Sequence, residues 1–462
     1  MVFNSLQFLV FFMVVSILYY QIQNQRGRTW LLLLSSCYFY MTFVPVYILI
    51  LGFTIVIDYF AGLLIASASK YKKAWLTASI IANVGILVFY KYFNFLLGNI
   101  EPLLAHIAPH YQLPYLNIIL PIGLSFHTFQ AMSYTIEVYR GGQKPEKDFV
   151  IYALYVMYYP QLVAGPIERP QNMIHQFHVF HKYNWDNIKE GLSRMAWGFF
   201  KKVVIADRIS AVVDYAFANH QSLSSFSLLV AAMFYSFQIY CDFSGYSDIA
   251  LGASKLMGIT LMENFNEPYK SKSITEFWTR WHISLSSWFR DYVYIPLGGN
   301  RKGEVRRRLN VFIVFLLSGL WHGANWTFVA WGSLHGALVT LLPGKSKTNP
   351  KKNPAADAVF ICINFILVTL CWVFFRAPNI KTAATYISEI FRFRAGPAQL
   401  GMNIVEVLFA AMFIAIMLFR ENKFKSHFIR KDTSFAVYLA VMVIVCYFFG
   451  VFGENQFIYF QF

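Results

Sequence analysis

Charge is what this sequence has least of. Only 13% of its 462 residues are Asp, Glu, Lys or Arg, about half the share found in a soluble domain. A set of water-soluble domains, a coiled coil and a disordered chain are all excluded by that figure. Cysteine is scarce as well. Cys37, Cys241, Cys362, Cys371 and Cys446 lie in or beside apolar runs, and no CxxC spacing occurs. That excludes a disulfide scaffold, a zinc site and a redox pair and leaves buried, inert thiols. Familiar catalytic signatures are missing too. Gly245-Tyr246-Ser247-Asp248 lacks the closing glycine of GxSxG, and Trp326 and Ser287 stand where HxxxD at His322 and HxxxxD at His282 would need aspartate. There is no P-loop and no GxGxxG.

What the chain has instead is 57% hydrophobic and 19% aromatic residues. Its formal net charge is +16, which in a membrane protein reflects basic cytoplasmic loops. Nucleic-acid binding would need a contiguous basic and aromatic surface, and none is found. Long apolar runs lie near 5–21, 30–44, 46–67, 74–98, 115–137, 149–164, 195–217, 225–241, 309–321, 326–343, 355–376, 402–419 and 434–452. Met1–Tyr20 lacks a basic n-region and a small-residue cleavage site, so it reads as a retained first helix. A spanning helix needs about 20 residues. The runs 30–44, 149–164 and 309–321 are too short to cross upright, and some are expected to be re-entrant or broken. Such backbone survives at membrane depth only when buried in protein or lining an aqueous cavity.

Basic residues orient the chain. Arg26 and Arg28; Lys70, Lys72 and Lys73; Arg140, Lys144 and Lys147; Lys345, Lys347, Lys351 and Lys352; and Lys423, Lys425, Arg430 and Lys431 mark cytoplasmic loops. Loop 99–114 carries no Lys or Arg and faces outward. Loop 377–401 should also be outside, although it carries Lys381, Arg392 and Arg394. Counting onward, 434–452 runs outward and the tail 453–462 ends on the outer side.

Segment 265–308 is too polar to span. Lys270, Lys272, Arg280, Arg290, Arg301, Lys302 and Arg306–Arg308 are interleaved with Trp278, Trp281, Trp288 and Phe289. This predicts cytoplasmic interfacial helices, serving either as headgroup anchors or as a basic vestibule for an anionic substrate. In 309–343, an apolar arm of 13 residues from Leu309 to Trp321 rises about 20 Å, short of the roughly 30 Å hydrocarbon core. The turn Trp321-His322-Gly323-Ala324-Asn325-Trp326 follows, and a second arm returns. The pattern predicts a re-entrant hairpin with His322 at its tip inside the bilayer, where an ionisable group marks a functional site. His282, in RWHISLSSWFRD, is either a second functional histidine or an interface residue. His335 and His127 read as structural. His175, His178 and His181 fan over a helix face without a HExxH pattern, so no metal site is expected.

The strings PIGLSFHTFQAMSYTIEVYR, YYPQLVAGPIERP, QIYCDFSGYSDIALG, ENFNEPYKSKSITEFWTRWHISLSSWFRDYVYIPLGGNR and GLWHGANWTFVAWGSLHG resemble the membrane-bound O-acyltransferase (MBOAT) family, in the branch that acetylates alginate. The resemblance covers nearly the whole chain. It implies an all-α polytopic membrane protein, one domain over 1–462, with a ring of roughly 11 transmembrane helices plus re-entrant and interfacial helices. The family's invariant histidine matches His322, and its second histidine matches His282. The final FIYFQF resembles a C-terminal signature of bacterial cell-surface acylation systems, in which the residue matching Tyr459 is proposed to carry the acyl group as an ester.

The implied activity is transfer of acetyl from cytosolic acetyl-CoA across the bacterial inner membrane to an exported polysaccharide, through a periplasmic SGNH-type partner. Acetyl-CoA is the donor substrate, and no permanently bound cofactor or metal is implied. Trp278, Arg280, Arg290 and Asn325 are the expected donor-binding residues, with membrane lipid as surroundings. The rival expectations are an enzyme with a lipid or protein acceptor, and a non-enzymatic transporter, which would tend to show internal repeats.

Overall fold

The computed structural model describes residues 1–67, 70–107, 113–117, 120–342, 354–426, 431–452 and 457–458. Among them the regular structure is helical throughout, without a strand. Lipid requires this of an open chain, because a helix satisfies its own backbone donors and acceptors. Pro45–Ala66, Lys72–Leu104, Ser225–Leu256, Pro354–Arg376 and Asp432–Phe449 are long and apolar enough to cross a membrane. The protein is an all-α, multi-pass membrane protein. Length and composition alone qualify these five of the roughly 11 crossings expected. Lys345, Lys347, Lys351, Lys352, Arg430 and Tyr459 lie outside the described residues.

The short runs behave differently from one another. Run 149–164 breaks at Tyr158 into Phe149–Met157 and Tyr159–Leu162, where Pro160 cannot supply a backbone donor. Run 309–321 belongs to a longer helix, Gly303–His322, of 20 residues. Its polar start stays helical because Glu304 accepts from Arg307 Nε at 2.6 Å and from Arg308 Nε at 2.8 Å. These bonds hold the Glu304 carboxyl down at about 2, so the clamp persists across the neutral pH range. The helix is therefore about 30 Å long, although its apolar part is shorter.

The chain gathers into two compact units. The first comprises Met1–Gly191 and Ala250–Met262. At its centre Asp58, fully buried on the helix Ile48–Ala66, accepts from Ser79 Oγ at 2.6 Å and from Asn83 Nδ2 at 2.8 Å. One turn away, Thr54 Oγ1 lies 2.7 Å from His127 Nε2. His178 Nε2 meets Glu146 at 2.8 Å, while His175 and His181 use ring nitrogens on the carbonyls of Gln171 and Gln176.

The second unit comprises Leu192–Ile249 and Glu263–Phe462. The helix Ser225–Leu256, which belongs to this unit as far as Ile249, outruns the apolar stretch that ends at Cys241. The helix continues because its acids are neutralised inside the fold. Asp242 meets Lys202 Nζ at 2.6 Å, and Asp248 meets Lys201 Nζ at 2.5 Å and Arg194 at 3.0 Å. Both lysines sit on the π-helical turn Phe200–Ala206. Arg392 and Arg394 of 377–401 are likewise offset, since Glu389 accepts from both.

Candidate active site

The helices Gly303–His322 and Trp326–Leu341 form a hairpin joined by three residues. Glycine sets how closely they pack. A Cβ on Gly319 would stand 2.3 Å from the Phe328 carbonyl oxygen, and one on Gly332 would stand 2.4 Å from that of Phe315. The backbones therefore touch, and the turn closes tightly behind His322, the last residue of the first arm. Asn325 caps the second arm: its Oδ1 accepts from Thr327 N at 3.0 Å, and its Nδ2 donates to Pro378 O at 3.0 Å. Both ends of its amide are thus engaged in fastening the turn.

His322 is 4% exposed and stands in an aromatic enclosure. Ring centroids of Trp321, Trp331 and Phe375 lie 4.9, 5.1 and 5.2 Å from its own. On the far side of the enclosure Trp278 Nε1 donates to His335 Nδ1 at 3.2 Å. His335, read from sequence as structural, thus has a specific partner. It lies 4.9 Å from Trp331, the ring that also faces His322.

His282 is fully buried and 6.2 Å from Trp321, so one indole neighbours both expected catalytic histidines. Its backbone is left-handed, φ 43°, a conformation that costs roughly 1–3 kcal/mol outside glycine. Asn264 accompanies it on the adjoining strand of chain: Asn264 O accepts from Ile283 N at 2.9 Å, and Asn264 Oδ1 lies 3.1 Å from His282 Nδ1. Phe243 packs edge-on to His282 at 4.7 Å. Phe457, near the chain's end, packs on Phe243 at 5.8 Å and on Tyr246 at 5.0 Å. Ile458 N donates to Asp242 Oδ2 at 2.7 Å.

Segment 265–308 folds as two short helices, Ile274–Arg280 and Ile283–Phe289, followed by a π-helical turn, Arg290–Tyr294. Trp278, Trp281, Trp288 and Phe289 are buried within this unit. Their packing disfavours the headgroup-anchor reading. A cavity of about 360 Å³ opens between these helices and the hairpin, lined by Trp278, Ser286, Ser287, Arg290, Phe315 and Ser318 among others. Its volume suits a small-molecule site. Arg290 borders it with a largely exposed guanidinium that also meets Asp291 at 2.8 Å. Arg280 instead pairs with Glu276 at 2.7 Å and does not line the cavity. Of the expected residues, the fold brings His322, His282 and Trp278 into one aromatic cluster and puts Arg290 at the cavity border. Asn264 and Trp331 lie inside the family strings and Phe375 outside them, and the place of all three at the site emerges from the packing.

A multi-pass helical protein with two buried histidines in one aromatic cluster, whose Trp278 also lines a substrate-sized cavity, has the equipment of a membrane-embedded transferase. Residues 143–375 match the MBOAT, membrane-bound O-acyltransferase family. The chain is 37% identical over 435 residues to a probable alginate O-acetylase AlgI of Pseudomonas putida, covering 91% of this chain and 88% of that protein. It is 38% identical over 419 residues to a peptidoglycan O-acetyltransferase of Helicobacter pylori, covering 83% and 78%. Similarity extends to a teichoic acid D-alanyltransferase of Bacillus subtilis, 31% identical over 291 residues, covering 60% and 72%. The chain belongs to the membrane-bound O-acyltransferase family, and it is a membrane-bound O-acyltransferase of the alginate O-acetylase type.

Proposed function

We propose that this protein takes an acetyl group from acetyl-CoA at the cytoplasmic face of the bacterial inner membrane and delivers it outward for O-acetylation of an exported polysaccharide, through a periplasmic SGNH-type partner. The observation that carries the reading is His322, buried at the closed end of a helical hairpin, in one aromatic cluster with His282. The names of the relatives support acetyl as the group and a cell-surface polymer as its destination.

Acetyl-CoA is polyanionic and does not cross lipid. Its phosphates meet Arg290 and the basic residues of 301–308, where charge-assisted bonds are strongest. The thioester arm occupies the cavity lined by Trp278 and Phe315. The first acceptor is the Tyr459 phenol. Its ordinary pKa near 10 calls for a base, and a neutral imidazole suits that task near pH 7. His322 takes the phenol proton as the phenol oxygen attacks the thioester carbonyl. The C–O bond forms, the C–S bond breaks with its electron pair on sulfur, and the proton passes to sulfur to give the free thiol. A hydroxyl on the partner or polymer then attacks the tyrosyl ester and restores the phenol. Support for this route comes from Phe457 and Ile458, which precede Tyr459 and are packed beside Phe243 and Asp242 in the unit that holds both histidines.

The test is His322→Ala in the purified full chain. Release of coenzyme A thiol from acetyl-CoA is expected to fall at least about 100-fold, with the size-exclusion profile unchanged. Wild-type release by a well-folded His322→Ala protein would remove His322 from the role of base.

A further inference from the structure

The contacts around Asn264 decide which nitrogen of His282 carries its proton. Asn264 is 1% exposed, and its side-chain oxygen is the meeting point of three groups. Ser284 N lies 3.2 Å from Oδ1, Ser284 Oγ lies 2.9 Å from it, and His282 Nδ1 lies 3.1 Å from it. A backbone N–H can only donate, so the Ser284 amide identifies this end of the Asn264 side chain as the oxygen. Turning the amide over would set its NH2 group against that N–H. A carbonyl oxygen can only accept, so His282 Nδ1 must be the donor.

Ser284 Oγ, 3.5 Å from Nδ1, leads to the same result. Its single proton lies on Asn264 Oδ1, so it too meets Nδ1 as an acceptor. The ring has little freedom to choose otherwise. The backbone at His282 is held left-handed at φ 43°, and Ile283 N is bonded to Asn264 O at 2.9 Å.

We propose that Asn264 is a positioning residue that locks His282 in its Nδ1–H tautomer, so that His282 presents Nε2 to the reaction as a proton acceptor. This rests on the proposed acyl transfer and takes His282, which matches the family's second histidine and shares the Trp321 neighbour with His322, as a participant in it. The substrate group it meets must be a hydrogen-bond donor, an attacking hydroxyl, and neither the thioester carbonyl nor the departing sulfur, which leaves with its bonding electron pair and has no proton to give. The logic is that of other catalytic imidazoles, whose tautomer is set by the partner of the second nitrogen.

The test uses the full-length protein in detergent or nanodiscs, with 15N-histidine labelling and His282→Gln to assign the signal. Wild-type His282 is expected to show a protonated Nδ1 and a bare Nε2. Asn264→Leu keeps similar bulk and removes the acceptor. It should lose that signature and lower kcat for coenzyme A release from acetyl-CoA by roughly 100-fold, with KM within about threefold. Asn264→Asp restores an acceptor oxygen and should recover turnover at least tenfold relative to Asn264→Leu. The lock is overturned if wild-type His282 carries its proton on Nε2. It is also overturned if Asn264→Leu turns over normally while His282→Ala is inactive, an outcome that leaves the role of His282 standing. Normal turnover in His282→Ala would instead remove that role itself.

Discussion

In the unit built on Met1–Gly191, the buried carboxyl of Asp58 meets neutral donors, the Ser79 hydroxyl and the Asn83 amide. In the unit that carries His322, Asp242 and Asp248 meet Lys202, Lys201 and Arg194. Both arrangements lie on helices apolar enough to cross a membrane. A carboxyl among neutral donors can remain a neutral acid, which lipid tolerates. A carboxylate among lysines remains charged and is tolerated only while its partner stays in place. The first arrangement suits a scaffold. The second makes a charged anchor available inside the protein, and Ile458 uses it through Asp242.

Removing one partner should separate the two cases. Lys202→Met leaves Asp207 and Asp242 facing each other, since both bond to the same ammonium, at 2.8 and 2.6 Å. The expected loss is about 3–5 kcal/mol, measured by denaturant unfolding in micelles. It should be accompanied by protease sensitivity of the C-terminal segment. Asp58→Asn keeps shape and hydrogen-bonding capacity and should cost only about 1 kcal/mol in the same assay. A loss at Asp58 as large as that at Lys202 would erase the contrast and mean that the carboxyl is ionised. The smallest effect is expected at an exposed ion cluster. Glu304→Gln should leave the melting temperature unchanged near pH 7, because screened surface pairs contribute little. Its carboxyl is depressed to about 2 by the Arg307 and Arg308 hydrogen bonds. The wild-type pairs are therefore present above the ordinary carboxylate range and are lost as pH falls through about 2, so any difference from Glu304→Gln should vanish in strong acid.

The site was partly legible in one dimension. His322 stands out because a histidine between two apolar arms has few innocent explanations, and Trp278 because it lies in the interfacial segment that the family strings single out. Arg280 looked equivalent to Arg290 from its neighbours, and each pairs with an acid, Glu276 and Asp291, but only Arg290 borders the cavity. Asn325 was read as a donor-binding amide, and in the fold its two polar ends close the turn. Asn264 lies in one of the family strings, but its role was not legible there, because its partners His282 and Ser284 lie 18 and 20 residues away across a left-handed bend that no propensity forecasts.

Apolar run length and the placement of Lys and Arg determined by themselves that this chain is a multi-pass helical membrane protein, because the cost of an unpaired backbone group or charge in lipid leaves few alternatives. Tertiary structure decided where the polar exceptions go. It carried the Ser225–Leu256 helix past its apolar stretch by supplying Lys201 and Lys202, and it set Trp321 beside two histidines 40 residues apart. It also chose the nitrogen on which one of them holds its proton. Those outcomes depend on distances of a few ångströms between residues far apart in sequence, which close packing alone fixes.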